Sequence, residues 1–581
     1  MSDKCWPLQT IFCFVIFRVL CSVGSIERFV IAMPPISLFR LCAAVLLLLH
    51  AVVVLSLIPR WSATFNEPGH LAAGVACWNS GAYHLYSVNP PLPRMVATIP
   101  LIFLDSDELC LEALSHLEEG RETREEVEIG RRLAETNTFN YQRLLCRARL
   151  AGVAWVTIGG FLVWQWARSL FGDWGGLLSL ALWTVDPMVT AHSALATADV
   201  PSTVIALGAS FSFAKFMRTG GRLDAAIAGM LLGAALLSKF TLIVLIPAWC
   251  LSLLFACKYQ KHRMMRKMIS SAICKRLLVV ASIALVTLNL GYGFSGTGQP
   301  VGDINFRSKM FNDILRYFPP SWATSMPNPF PYDYVSGIDL QQCDFEGGLK
   351  SYLNGAWSDD GWWYYYAYAF FLKAPLGHLA IYFVSAILLL SLRQKPPILV
   401  AALPAFVILI ASSKTGFTNH LRYILPAYPF IMIMSGVLLS SAGGRPKKGY
   451  FVFACVMLAC SALSTFSEYP YQLSYFNEIA GGFQGGWRYL ASSNVDWGQD
   501  WIALREWIDL NSDKPTLYID LLDSHIDALI YLKKHYEAPN PYLPGYAIVD
   551  AYKLTTEHVW LQDFPLVDRI GSSIFVFNVP P

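Results

Sequence analysis

The sequence predicts an all-α polytopic membrane protein of about eleven transmembrane helices, with a small extramembrane α/β domain at its C-terminal end. Three observations predict it. Of 581 residues, 55% are hydrophobic and only 15% are charged, where a soluble domain would carry about 25% charge. That deficit is what a bilayer demands, because a charge at its centre is expensive. The basic residues sit in short clusters between apolar runs long enough to cross a bilayer. Residues 467–581 then change character, mixing strand-like runs (TLYIDLL, SSIFVFNV) with helix-like ones (IALREWIDL, IDALIYLKKHY).

The chain opens on an apolar stretch, LQTIFCFVIFRVLCSVG, that Arg18 interrupts and no small-residue cleavage site follows, which argues against a signal peptide. Met33 opens a stronger start, so residues 1–32 are expected to be an extension outside the native protein or a loose interfacial segment. Apolar runs fall at 38–58, 150–168, 175–191, 200–217, 224–238, 240–257, 277–294, 365–391, 397–412, 424–442 and 449–466. Residues 33–466 are thus expected to be the transmembrane domain.

Basic clusters orient it. Residues 258–276 hold Lys258, Lys261, Arg263, Arg266, Lys267, Lys275 and Arg276 with no acid. Lys215, Arg218 and Arg222, then Arg393 and Lys395, then Arg445, Lys447 and Lys448 mark three more loops. All lie on one side of an eleven-helix arrangement, and the positive-inside rule makes that side cytoplasmic. Three longer segments then fall outside. Residues 59–149 form a first loop whose charged middle predicts amphipathic surface helices. Residues 295–364 form a large second loop rich in Pro, Gly and Trp, and 467–581 form the C-terminal domain.

The net charge of +3 gives nucleic-acid binding no support. Thirteen Cys without a CxxC pair read mostly as small buried hydrophobes. Cys77, Cys110, Cys146 and Cys343 fall in outer loops, which admits one disulfide without requiring it.

The chemistry-bearing residues gather on the outer side. In FNEPGHL, Pro68 suits a helix start and Glu67 sits in the positive end of that helix dipole. His70 follows on the same helical face, so the pair suits a general base or simply a helix cap. In NPPLPR, the prolines fix an extended turn before Arg94, a residue suited to a phosphate or to a plain connector. AHSALATADVPST places His192 and Asp199 in a very short connection, where Asp199 could equally cap the next helix. Lys239, Lys373, Lys414, His420 and Arg422 lie at outer helix ends, against the charge bias. One such lysine commonly snorkels to headgroups. Several together suit an anionic lipid phosphate.

These segments, in this order, resemble the GT-C superfamily of membrane glycosyltransferases, and most of all its protein O-mannosyltransferase and aminoarabinose-transferase branch. The resemblance is carried by E-P-x-H at Glu67 to His70, the PPL turn, T-x-D-V-P around Asp199, Lys239, and R-Y-I-L-P from Arg422 through Tyr423 to Pro426. It spans most of residues 38–466, and the tail run YPYQLSYFNEIAGG with SSNVDWGQDW looks like the extension of bacterial members. The family's Asp-Glu reads Asn66-Glu67 here, and Asn89 stands where relatives carry a basic residue. The resemblance implies a transferase using a polyprenyl-phosphate sugar donor, with a protein, lipid or glycan acceptor among membrane lipids. It implies Glu67 as base, Asp199 in support, and Arg422, Lys239 and Lys373 on the lipid phosphate. His70, Arg94, His192, His420 and Tyr423 complete the expected substrate site. No cofactor is required by the sequence, and a divalent metal is compatible with it. The implied location is a bacterial inner membrane with the active face in the periplasm, or a lumen in a eukaryote. A transporter or flippase, or a non-catalytic scaffold, is the competing expectation. Transporters favour repeats and midplane charges, and neither pattern is present.

Overall fold

The computed structural model describes residues 35–580 apart from 106–107, 111–124, 260–270, 392–395, 415–417, 441–443, 512–516, 522–527, 533–535 and 541–542. The N-terminal extension 1–32 lies outside the described residues, as do Arg393, Lys395 and most of the basic loop 258–276.

Every apolar run falls on helix. In chain order these are α1 (Pro35–Leu57), the outer-loop helices α2 (Glu67–Ser80), α3 (Leu92–Thr98) and α4 (Glu126–Thr136), then α5 (Tyr141–Val185), α6 (Pro187–Ser193), α7 (Asp199–Thr219), α8 (Arg222–Leu236), α9 (Leu245–Tyr259) and α10 (Ser271–Gly291). After the second outer loop come α11 (Tyr365–Lys373), α12 (Leu376–Ser391), α13 (Pro396–Ser412), α14 (Tyr428–Ser435) within a continuous helical run 421–439, and α15 (Lys448–Ser467). Among the described residues, five helices are long and apolar enough to cross a membrane, and three shorter apolar ones accompany them. The chain is a multi-pass integral membrane protein.

The 45-residue α5 is two membrane arms, not one rod. Gly172 breaks it with φ 82° and ψ −178°, a conformation essentially reserved for glycine. The arms fold back on each other: Trp183 donates its indole N–H to the Val156 carbonyl at 3.0 Å, and the ring lies over Gly159 and Gly160. The runs 150–168 and 175–191 are therefore partners in a hairpin. Small residues let other helices approach as closely. Gly229 and Gly233, one turn apart on α8, face the Val280 and Ala284 carbonyls of α10, where an added Cβ would lie 2.6 Å from either oxygen. Gly152 of α5 lies under the Ser193 carbonyl, where a Cβ would come within 1.8 Å.

Helix α4 has the expected charged face, with Arg131 paired to Glu128 and Glu135. It is not laid on a surface: Ile129 and Leu133 are fully buried, and Gly69 and Gly130 bring α4 against α2. In the second outer loop, β1 (Ser351–Leu353) and β2 (Ala356–Ser358) form an antiparallel hairpin. Asn354 and Gly355 make its two-residue turn with positive φ at both positions, the Asn-Gly preference of that turn. The hairpin touches the tail, because Asn354 donates its backbone N–H to the Tyr489 carbonyl at 2.8 Å.

The tail carries a four-stranded sheet from β3 (Leu517–Asp520), β4 (Gly545–Asp550), β5 (Leu566–Ile570) and β6 (Ile574–Val579), ordered β3-β4-β6-β5. The β3–β4 pair is parallel and the others antiparallel. TLYIDLL and SSIFVFNV are thus β3 and β6, and IALREWIDL lies on α16 (Trp501–Leu510). Of IDALIYLKKHY, only Ala528–Leu532 is described as helical, as a short π turn. Asp500 fastens this layer to the rest by accepting from the backbone N–H and hydroxyl of both Ser572 and Ser573 at 2.8–3.0 Å. Cys77, Cys110, Cys146 and Cys343 are all free thiols.

The glycine contacts set a stability test. Gly152→Ala is expected to unfold or block assembly, since its Cβ would overlap a backbone oxygen. Gly208→Ala on α7 meets only side-chain carbons at 3.6 Å or beyond and is expected to hold or raise stability by up to about 1 kcal/mol. Thermal unfolding of detergent-purified protein compares the two.

Candidate active site at one end of the bundle

Two buried charge clusters meet where α5, α7, α8 and the 421–439 helix end. The first is built on Arg149, fully buried at the start of the α5 membrane arm. Its guanidinium uses all five N–H donors. Nε and Nη2 donate to the two carboxylate oxygens of Glu67 at 2.8 and 2.6 Å. Nη1 donates to the Ile58 and Trp61 carbonyls, and Nη2 also to the Ser62 carbonyl. Glu67 is saturated in turn, accepting from Ala196 N–H at 2.8 Å and from the Thr64 N–H and hydroxyl at 2.9 and 3.0 Å. Burial pushes its carboxyl up, but Arg149 and these hydrogen bonds outweigh that and hold it below the ordinary glutamate range. Glu67 is fully buried with no lone pair left facing a cavity. The expected proton acceptor, Glu67, is thus fully engaged in this structure: its carboxylate ties the first long loop, α5 and the 194–198 connection together.

That connection delivers the second cluster. Asp199, 5% exposed, opens α7. Its Oδ1 accepts from Lys239 Nζ at 2.8 Å. Its Oδ2 lies 3.3 Å from the Thr197 hydroxyl, 3.8 Å from Arg422 Nε and 3.9 Å from His192 Nδ1. The α8 helix ends just before Lys239, and Leu92 of the PPL turn donates its backbone N–H to the Leu237 carbonyl, so the proline turn braces this end. Arg422 lies flat on Trp497 with its guanidinium carbon 3.9 Å from the ring centroid, and Tyr423 faces both Arg422 and Lys239 at 5.4 Å. Arg422 also donates to the Ser493 hydroxyl, which is 2.8 Å from His420 Nδ1. Two cations against one carboxylate leave the cluster with a surplus positive charge in a largely buried setting, where a charge is worth far more than in water.

A small cavity opens beside it, lined by His192 and Thr197 at its polar side and by Ala97, Ala151, Trp155 and Val200 elsewhere. His192 Nδ1 is buried there with no hydrogen-bond partner.

Asp199, Lys239, His192, His420, Arg422 and Tyr423 therefore converge. Three other expected residues do not join them. Arg94 is 2% exposed and donates to the Tyr83, Tyr86 and Asn89 carbonyls, so it is the centre around which the loop before α3 is folded and is not open to a phosphate. Lys373 is 1% exposed at the end of α11 and donates to the Leu473 and Asn494 carbonyls over the Phe476 ring, so it anchors the tail. His70 stacks on Tyr86 at 4.6 Å, and burial together with Arg94 lowers its pKa to about 3, which keeps it neutral. Sequence reasoning missed Arg149, Ser493 and Trp497. An arginine at the mouth of an apolar run was the signal for the first. The tail residues lie in the run SSNVDWGQDW that the resemblance singled out, but only the fold brings residue 493 to residue 422.

One group among the described residues has metal-ligand spacing: Asp520, Glu557 and His558 in the tail. Lys553 Nζ sits among them, 3.3 Å from Asp520 and 2.8 Å from Glu557, and competes with any cation for the same oxygens.

Comparisons with known proteins follow the geometry. No curated protein matches the chain. The crystal structure of ArnT from Cupriavidus metallidurans bound to undecaprenyl phosphate is similar at 12% identity and a TM-score of 0.46, covering 92% of this chain and 97% of that one. The Archaeoglobus fulgidus oligosaccharyltransferase tethered to an acceptor peptide is similar at 13% identity and a TM-score of 0.45, covering 88% and 69%. Both likenesses are distant. The family model described as dolichyl-phosphate-mannose-protein mannosyltransferase matches residues 144–286, the stretch that carries Arg149, Asp199 and Lys239.

Proposed function

We propose that the chain is a membrane glycosyltransferase that moves a sugar from a polyprenyl-phosphate-linked donor to a hydroxyl acceptor at the outer face of its membrane. A bacterial inner membrane with this end in the periplasm is the setting that the basic loops and the family likeness favour. One observation carries the reading: a buried carboxylate, Asp199, held by Lys239 and beside Arg422 at the end of the helices. The family description of residues 144–286 supports the same donor class.

The chemistry follows from charge. A sugar leaves a lipid phosphate when the departing oxygens are stabilised and the acceptor hydroxyl loses its proton. Arg422 and Lys239 supply preorganised positive charge for the phosphate. In this reading the phosphate takes Lys239 from Asp199, and the freed Asp199 oxygen accepts the acceptor's proton. A site without that surplus charge would have nothing to offer a lipid phosphate. Glu67 acts through Ala196, fixing the backbone that delivers Asp199.

Transfer from a radiolabelled polyprenyl-phosphate mannose in membranes tests this. Asp199→Asn is expected to lower turnover by at least about 100-fold with the protein still inserted, as for loss of a general base. Arg422→Ala is expected to weaken lipid-donor use; unchanged donor dependence would remove it from the phosphate site. Full turnover in Asp199→Asn would remove the base assignment, and substrate counterflow without transfer would favour a transporter.

Glu67 is tested through stability. Glu67→Gln leaves the Arg149 charge buried and is expected to cost about 3–5 kcal/mol. Because the folded carboxyl titrates below its unfolded value, its contribution is intact at neutral pH. It is lost only as pH falls below the ordinary glutamate range, about 4.3. Unfolding in detergent across pH measures this, and a wild-type-like melting profile for Glu67→Gln would contradict it.

A further inference from the structure

The tail reaches into the charge cluster with one hydroxyl. Ser493 is 6% exposed and comes from a short helical turn, Ser492–Asn494, in the tail. Its oxygen has two neighbours. Arg422 Nη1 donates to it, and His420 Nδ1 lies 2.8 Å away on the other side. A guanidinium can only donate, so the hydroxyl accepts from Arg422, and its own proton is then free to go to His420. That assignment makes His420 Nδ1 an acceptor. With the hydroxyl proton placed there, the neutral imidazole carries its own proton on Nε2. Burial keeps the His420 ring neutral, and the charges around it agree: Arg422 and Lys239 oppose a proton on it and Asp199 favours one. The Tyr423 ring holds the imidazole edge-on at 5.3 Å between centroids.

We propose that Ser493 is a positioning residue for the phosphate site. It sets the rotation of the Arg422 guanidinium and selects the His420 tautomer that offers Nε2–H as a second, neutral donor to the phosphate oxygens. Trp497, from the same tail segment, holds the guanidinium from its flat face. Asn494 fixes the segment's place by accepting from Leu421 N–H at 3.0 Å and donating to the Asn419 carbonyl at 2.8 Å. The tail is therefore part of the anion site, contributing the hydrogen bond and the aromatic plane that orient its arginine. The proposal rests on the lipid-phosphate reading given above.

The test uses the full chain in detergent and measures binding of undecaprenyl phosphate, with undecaprenol as the phosphate-free control. Wild type is expected to bind the phosphate lipid and to discriminate against the alcohol. Ser493→Ala is expected to bind the phosphate lipid about tenfold more weakly, as for a lost hydrogen bond to a charged group. Ser493→Thr, which keeps the hydroxyl, is expected to stay within about threefold of wild type, a rescue that tracks the hydroxyl and not the packing. In a His420→Ala background, removing the Ser493 hydroxyl is expected to cost less than in wild type, because only its contact with Arg422 is then lost. Wild-type binding by Ser493→Ala overturns the positioning role, and an undiminished loss in the His420→Ala background overturns the part of it that runs through His420. If Ser493→Ala does not fold, Ser493→Cys replaces it and is expected to fall between wild type and tenfold loss, its thiol being a weak donor; wild-type affinity there would overturn the role equally. Failure of wild type to discriminate between the two lipids would overturn the phosphate reading itself, and this proposal with it.

Discussion

Arg149 and Glu67 are an ion pair with no access to water, and much of the geometry around the candidate site hangs from it. Either charge alone in that position would be severely penalised, and the pair is tolerable only because every remaining donor and lone pair is also met. Meeting them has structural consequences. The carbonyls of Ile58, Trp61 and Ser62 must turn inward at the end of α1, and the N–H of Ala196 must point at the carboxylate. Three segments distant in sequence are thereby held to one point. The last of them, three residues further on, presents Asp199. The position of the Asp199 carboxylate is thus a by-product of satisfying a buried arginine.

The second cluster works under the opposite condition. Around Asp199 the charges do not cancel, the partners stand at 2.8 to 3.9 Å, and His192 keeps an unmet nitrogen. A fully satisfied network is rigid and inert. A partly satisfied one with surplus charge can exchange partners when an anion arrives. The two clusters sit side by side, so an inert pair braces a responsive one. The tail adds a third constraint from above: Trp497 and Ser493 limit where the Arg422 guanidinium can turn, and Lys373 holds the tail carbonyls that keep this segment in place.

Legibility followed the range of each interaction. The apolar runs and their breaks were readable because span length and apolar content are local properties, and each run falls on helix. TLYIDLL and SSIFVFNV were readable as strands for the same reason. The expected site residues divided according to what neutralises them. Asp199, Lys239, His192, His420, Arg422 and Tyr423 come together across gaps of up to more than two hundred residues. Arg94 and Lys373 carry the same charge as Arg422 and lie at the same kind of position, yet backbone carbonyls absorb them both. Nothing in their local sequence distinguishes an arginine that folds a loop around itself from one left beside a buried carboxylate. Glu67 was legible as an unusual acid at a helix start but not as a saturated one, since its partner lies 82 residues away.

By itself the amino-acid sequence determined the solvent, the helices and the kinds of residue available at their ends. Partition between water and lipid depends on composition over a span, and a span is contiguous. The sequence also placed a glycine, Gly172, in the break between two apolar runs, where the backbone of α5 reverses. Which charges are spent on structure and which are left for chemistry was decided by the tertiary structure alone. That choice depends on whether a carbonyl, a carboxylate or an aromatic face happens to lie within about 3–4 Å of each charged group, and hydrogen bonds and ion pairs lose their strength beyond that reach. Glu67 entered as the expected base and Asp199 as its support. Arg149 took one of them, and the other was left between two cations.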